Sequence, residues 1–257
     1  MNFHDNFIAL QTIVRKEVVR FVRIWPQTLL PPVITQSLYF LIFGKFIGSQ
    51  VGNIQGISYM SFLVPGLVMM AVINNSYANV VSSFFGSKFQ HNVEELLVSP
   101  TANWVILGGY VVGGVLRGII VGILVFGVSV FFTRPTVSHA GLIAVFILLT
   151  AVVFSLGGFL NGVIATKFDD VSIFPTFIIT PLTYLGGVFY SIHSLPDSWR
   201  NLSRFNPILY MVDGFRYGFY GFSDVNIGVS ITALVFLMAI LTAVNLFFLE
   251  KGVGLKN

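Results

Sequence analysis

The chain has 257 residues, of which 55% are hydrophobic and only 9% charged, and its mean hydropathy is +0.86. Soluble domains carry about 25% charged residues, so a water-soluble protein is excluded. The basic balance of 14 Lys and Arg against 10 Asp and Glu therefore reads as membrane topology and not as a nucleic-acid surface. With no cysteine, disulfides, thiol chemistry and Cys-ligated metals are excluded as well.

Seven runs are free of Asp, Glu, Lys and Arg: 24–44, 46–87, 96–116, 118–133, 135–166, 171–196 and 225–249. A spanning helix needs roughly 20 apolar residues, and barrel strands would instead alternate over about ten. Cut at their Pro, Gly and polar punctuation, the runs predict an all-α, polytopic membrane protein with six spans, at 27–47, 60–82, 112–132, 141–164, 171–188 and 228–249.

Residues 1–10 lack an unbroken apolar core and a small-residue cleavage site, so no removable signal peptide is expected. Phe7, Leu10, Val14, Val18, Phe21 and Trp25 recur at spacings of three and four, with Arg15, Lys16, Arg20 and Arg23 on other faces. That pattern predicts an amphipathic interfacial helix over 1–26, flat on the inner leaflet and ended by Pro26. After the first span, 48–58 is rich in Gly, Gln, Asn and Ser and forms the first outside loop.

The second span carries Asn74, Asn75 and Asn79, with Asn75 and Asn79 on one face. They either line a substrate path or hydrogen-bond between helices, which contributes roughly 1 kcal/mol each. In the inner loop 86–103, Phe89, Val93, Leu96 and Leu97 form an apolar stripe beside Glu94 and Glu95 before Pro100 stops the helix. The residues alone leave this short amphipathic helix as either a docking element or a plain connector.

Arg117 is the single charge within a hydrophobic segment. Counted from a span start near 112 it lies about 7.5 Å in by helical rise; it either snorkels to the inner headgroups or takes a functional role. Glycines at 109, 113, 114, 118, 122, 158 and 162 give small faces for close helix packing, within the chain or between copies. In the fifth span Pro175 and Pro181 predict a broken helix running past Tyr184 into the outer segment, either a mobile gate or a fixed kink.

The outer segment 190–224 shows one apolar face at Leu195, Trp199, Leu202 and Phe205 and another at Leu209, Val212, Phe215 and Phe219. Two short re-entrant helices before the last span, or a packed cap with similar helices, account for so much aromatic surface. The tail is 250–257. With the amino terminus inside, inner segments hold Arg15, Lys16, Arg20, Arg23, Lys88, Lys167, Lys251 and Lys256 against Lys45, Arg134, Arg200, Arg204 and Arg216 outside. Both termini are thus expected in the cytoplasm.

Phosphate-loop, dinucleotide, zinc-protease and serine-hydrolase motifs are missing. The chain is not expected to hydrolyse ATP or to hold a metal or cofactor. All ten acids lie outside the six expected spans, which disfavours an ion-coupled carrier; a self-sufficient carrier or channel is the alternative reading.

The run from Asn206, Pro207 and Tyr210 through Asp213, Gly214, Arg216 and Gly218 resembles the carboxy-terminal signature of ABC-2 type permeases. Glu94-Glu95-Leu96-Leu97-Val98-Ser99-Pro100 is similar to that family's coupling helix, and 171–191 also fits, so the resemblance covers nearly the whole chain. It implies an inner-membrane permease subunit of an ABC exporter, working as a pair of identical copies, a homodimer, with two soluble ATPase subunits that bind MgATP. It further implies that 89–97 docks on the ATPase and that the amino-terminal helix is the family's connecting helix.

Overall fold

The computed structural model describes residues 3–254; Lys256, counted above with the inner charges, lies outside them. The described chain is almost entirely helical, with one two-stranded hairpin. Five of its helical segments are long and apolar enough to cross a membrane: Trp25–Val51, Tyr59–Phe89, Asn103–Phe132, Ala140–Ile164 and Ile227–Lys251.

Helix α1 (Phe3–Arg23) is followed by α2 (Trp25–Thr28), α3 (Leu30–Tyr39), a π-helical stretch (Phe40–Ile47) and α4 (Gly48–Val51). The break comes at Ile24, and Pro26 sits in the first turn of α2, where its missing N–H leaves no bond unmade. The expected outside loop contains α4 and a hairpin, β1 (Asn53–Ile54) with β2 (Ile57–Ser58), turning at Gln55 and Gly56, both with positive φ.

Helix α5 (Tyr59–Phe89) is the axis of the bundle and packs on both α7 (Asn103–Phe132) and α8 (Ala140–Ile164). It is apolar on every side, as a central helix must be, and most of its side chains are buried. Small residues permit this packing: a Cβ on Gly118 would lie 1.9 Å from Ser76 Oγ, and one on Gly158 would lie 2.6 Å from the Tyr77 carbonyl oxygen. The glycine faces are therefore used within the chain.

Three sequence expectations are refined. The third long helix starts at Asn103 and not near 112, because the turn after Pro100 releases the chain into helix at once. Arg117 lies near the middle of α7. Helix α1 buries Ile13, Glu17 and Phe21 against its neighbours, chiefly α7, while Phe7 and Trp25 are exposed. The face packed on the bundle shares only Phe21 with the stripe expected at the leaflet, and it includes a carboxylate.

The fifth expected span is one helical path broken in kind: α9 (Phe168–Phe174), a π-turn (Pro175–Ile179) and α10 (Thr180–Leu185). The widened turn begins at Pro175, and Thr180 Oγ1 donates to its carbonyl. The outer segment holds a short 3-10 turn (Ile192–Ser194), α11 (Asp197–Ser203) and α12 (Pro207–Tyr220), ahead of α13 (Ile227–Lys251). The α12 face is buried as its pattern requires, whereas Trp199, Leu202 and Phe205 are exposed.

Candidate functional site

The inner loop folds as α6 (Asn92–Val98), entered through His91 at φ 62°. Only Val93 of its stripe is buried; Leu96 and Leu97 are half-buried, and Glu94 and Glu95 point to solvent. Glu94 pairs with His91 at 2.7 Å. Phe89 is 59% exposed and packs edge-on against Phe168, and Val98 is 87% exposed. Pro100 follows the helix, and Ser99 Oγ closes its last turn on the Leu96 carbonyl.

Helix α6 lies beside the start of α1. Between them runs an open groove of roughly 600 Å³, lined by Ile8, Thr12 and Ile13 on one side and by Glu95, Leu96 and Thr101 on the other. The exposed Phe7, Ile8, Phe89, Val98 and Trp104 lie in this end of the chain's helices, so apolar and acidic surface are offered together.

A buried polar seam runs from α1 into the bundle. Glu17 is fully buried and accepts hydrogen bonds from Ser83 Oγ at 2.6 Å and from Arg20 at 3.2 Å, with Lys16 at 3.7 Å. Arg20 also donates to the side chain and the carbonyl of Asn79, both at 2.9 Å. One helical turn away, Arg117 donates to Asn75 Oδ1 at 3.2 Å and to the Thr28 carbonyl at 3.3 Å. The candidate path residues thus separate: Asn75 and Asn79 each anchor an arginine, Asn74 only caps the Met70 carbonyl, and Tyr184 stacks on Phe189 elsewhere.

Sequence patterning missed Glu17 because an acid at that position looks like part of the wet face. The signal available was its register. Ile13 and Glu17 lie four apart, and so do Gly109 and Gly113, where added Cβ atoms would each stand 2.5 Å from Ile13 and Glu17 respectively.

The signature residues form a locked corner at the opposite end. Asn206 caps α12, accepting from the Ile208 amide at 3.0 Å and donating to the Leu182 carbonyl at 2.6 Å; Pro207 fills the first turn, where no amide is needed. Tyr210 donates to the Arg204 carbonyl at 2.6 Å. Gly214 lies against Phe146, and Gly218 packs on Ile143 while its carbonyl accepts from the Ser138 and His139 amides.

Asp213 and Arg216 do not bond to each other. Asp213, 1% exposed, accepts from the Asp224 and Val225 amides at 2.8 and 3.0 Å. Burial pushes its carboxyl up, against the opposing pull of these donors and of Arg216. Arg216 donates to the Gly187 carbonyl at 2.7 Å and lies 3.9 Å over the Phe62 ring, a cation–π contact in a dry setting. Gly187 turns at φ 74°, which a side chain would resist. Asp224 in turn takes Ser191, the Ile192 amide and Gln55, so the corner ties the loop 48–58 to the start of α13.

Among the described residues no group of three or more His, Asp or Glu side chains is placed to hold a metal ion. Comparison with known proteins gives a consistent picture. The chain is 54% identical over 254 residues to the inner membrane transport permease YadH of Escherichia coli strain K12, covering 99% of both chains. It is 23% identical to nodulation protein J of Rhizobium meliloti strain 1021 over 89% of this chain and 87% of that one. The corresponding protein of Sinorhizobium fredii is 26% identical over 84% and 80%. The sequence profile of the ABC-2 type transporter family matches residues 8–220, a stretch that takes in helix α6, the polar seam and helix α12, and the chain belongs to that family.

Proposed function

We propose that this chain is the membrane subunit of an ABC exporter, that two identical copies form the pathway across the inner membrane, and that separate ATPase subunits bind and hydrolyse MgATP. The single observation that carries the reading is the α1–α6 groove, an exposed surface of apolar and acidic groups at one end of the helical bundle. Helix α6 fits a cleft on the ATPase, with Glu94 and Glu95 meeting its basic residues. The description of the 54%-identical relative as an inner membrane transport permease supports the location.

In this reading both termini and α6 face the cytoplasm, the broken path over 171–185 makes the fifth of six crossings, and α11 and α12 dip into the outer leaflet. ATP binding closes the ATPase pair, α6 moves as a lever, and the permease pair changes its opening. The nucleotide drives this only through its different affinity for the two states.

The test is capture of tagged chain from native membranes in mild detergent, with mass spectrometry and an ATPase assay of the eluate. A soluble ATPase recovered in stoichiometric amount, and lost when 89–97 is altered, supports the reading. Its absence from membranes that contain such subunits overturns it in favour of a self-sufficient carrier.

A further inference from the structure

Beside the Glu17 seam, where α1 crosses the α6 end of α5, lies a pocket of roughly 500 Å³ lined by Lys16, Arg20, Ser87, Gln90 and Tyr110 among others. Its polar groups are unevenly provided. The one carboxylate at hand, Glu17, is already engaged by Ser83, Arg20 and Lys16. Two cations against one anion leave the lining net positive.

The unengaged groups are donors. Arg20 Nε is buried without a hydrogen-bond partner. Lys16 Nζ gives one hydrogen bond, to Tyr110 Oη at 3.1 Å, and has further protons to give. Ser87 Oγ accepts from Tyr110 at 3.4 Å, so its own proton is available. Buried donors without acceptors carry a desolvation cost that an oxyanion would remove. Arg and Lys with hydroxyl donors suit phosphoryl oxygens, through charge-assisted bonds.

We propose that this pocket binds a phosphoryl oxyanion, the headgroup of an anionic lipid or a soluble phosphate. It lies at an end of the long apolar helix α5, the level at which headgroup phosphates lie, and basic pockets between membrane helices hold such headgroups elsewhere. The pocket adjoins the α1–α6 groove, sharing Asn92 and Leu96 with it, and the proposal does not depend on an ATPase partner.

Thermal unfolding of the detergent-solubilised full chain tests this, with added dioleoylphosphatidylglycerol, with the matching phosphatidylcholine, and with sodium phosphate against sodium chloride at equal ionic strength. A saturable rise in Tm with phosphatidylglycerol alone assigns the site to a lipid headgroup; one with sodium phosphate assigns it to a soluble phosphoryl group. Lys16→Gln removes one charge-assisted bond and weakens the midpoint about tenfold. Gln90→Glu, at the exposed mouth, weakens it by repulsion. Arg23→Gln removes the same charge from α1 outside the pocket and leaves the midpoint unchanged. No saturable rise with either probe overturns the proposal, as do equal losses in Lys16→Gln and Arg23→Gln, which reveal a surface-charge effect only.

Discussion

The α12 corner and the α6 rim carry the two motifs on which the sequence resemblance rests, yet they treat their polar groups in opposite ways. At the corner, Asn206, Tyr210, Asp213 and Arg216 each bond a backbone group of another turn or loop. At the rim, Glu94 has only its neighbour His91, and Glu95 faces an open groove. A motif whose groups are all bonded inward holds a fold together, whereas one whose charges and apolar side chains face outward is built to meet something else.

The sharpest break in this comparison is Asp213→Ala. It strands the two half-buried amides of Asp224 and Val225 that now meet a carboxylate, at a cost of roughly 3 kcal/mol, and it frees the loop into α13. The expected outcome is a strong fall in Tm and in membrane accumulation. A variant as stable as the parent would mean that the corner is not structural.

Gly113→Val probes the seam between those two ends. Its first added carbon would stand 2.5 Å from Glu17 Cβ, so α1 must move off α7, and overpacking of this kind costs about 2 kcal/mol. Thermal unfolding reads the loss, and limited proteolysis should cut α1 first.

Glu94→Arg combined with Glu95→Arg sharpens the comparison from the rim. Both side chains are exposed, so stability should stay within about 0.5 kcal/mol. Partner capture should fall about tenfold or more, since like charges now oppose the basic cleft. Normal capture and normal ATP-dependent transport would remove α6 from the docking surface.

The hydrophobic runs mark the bodies of the helices well, because the absence of charge over bilayer length admits few alternatives. Their ends are less legible. Helix α5 runs on to Phe89 because Lys88 reaches across to the Val163 and Ala165 carbonyls at 2.7 Å, a contact no local pattern announces. The α6 stripe and the α12 signature are readable as motifs. The Glu17, Arg20 and Arg117 seam is not, since it joins residues from three helices, and a buried ion cluster looks in sequence like scattered surface charge.

The smallest effect expected concerns the entry to α9, beside the Phe89–Phe168 contact of the rim. Asp170 Oδ2 accepts from the Thr166 amide and hydroxyl, both at 2.9 Å, and from the Lys167 amide at 3.0 Å. These donors favour the ionised form and hold its carboxyl below the ordinary value of 3.8. Because the folded value is the lower one, the stabilisation is complete above the ordinary value and is lost as pH falls through the folded one. Hydrogen exchange corrected for intrinsic rates should therefore show Thr166 and Lys167 protected at pH 6 and progressively opened only below about pH 4. Asp170→Asn should open them at both pH values while leaving the α12 corner untouched. Equal protection in the variant would show that the turn before α9 is held by packing of Phe168 on Phe85 and Phe89, and that the rim is stiffer than its exposed side chains suggest.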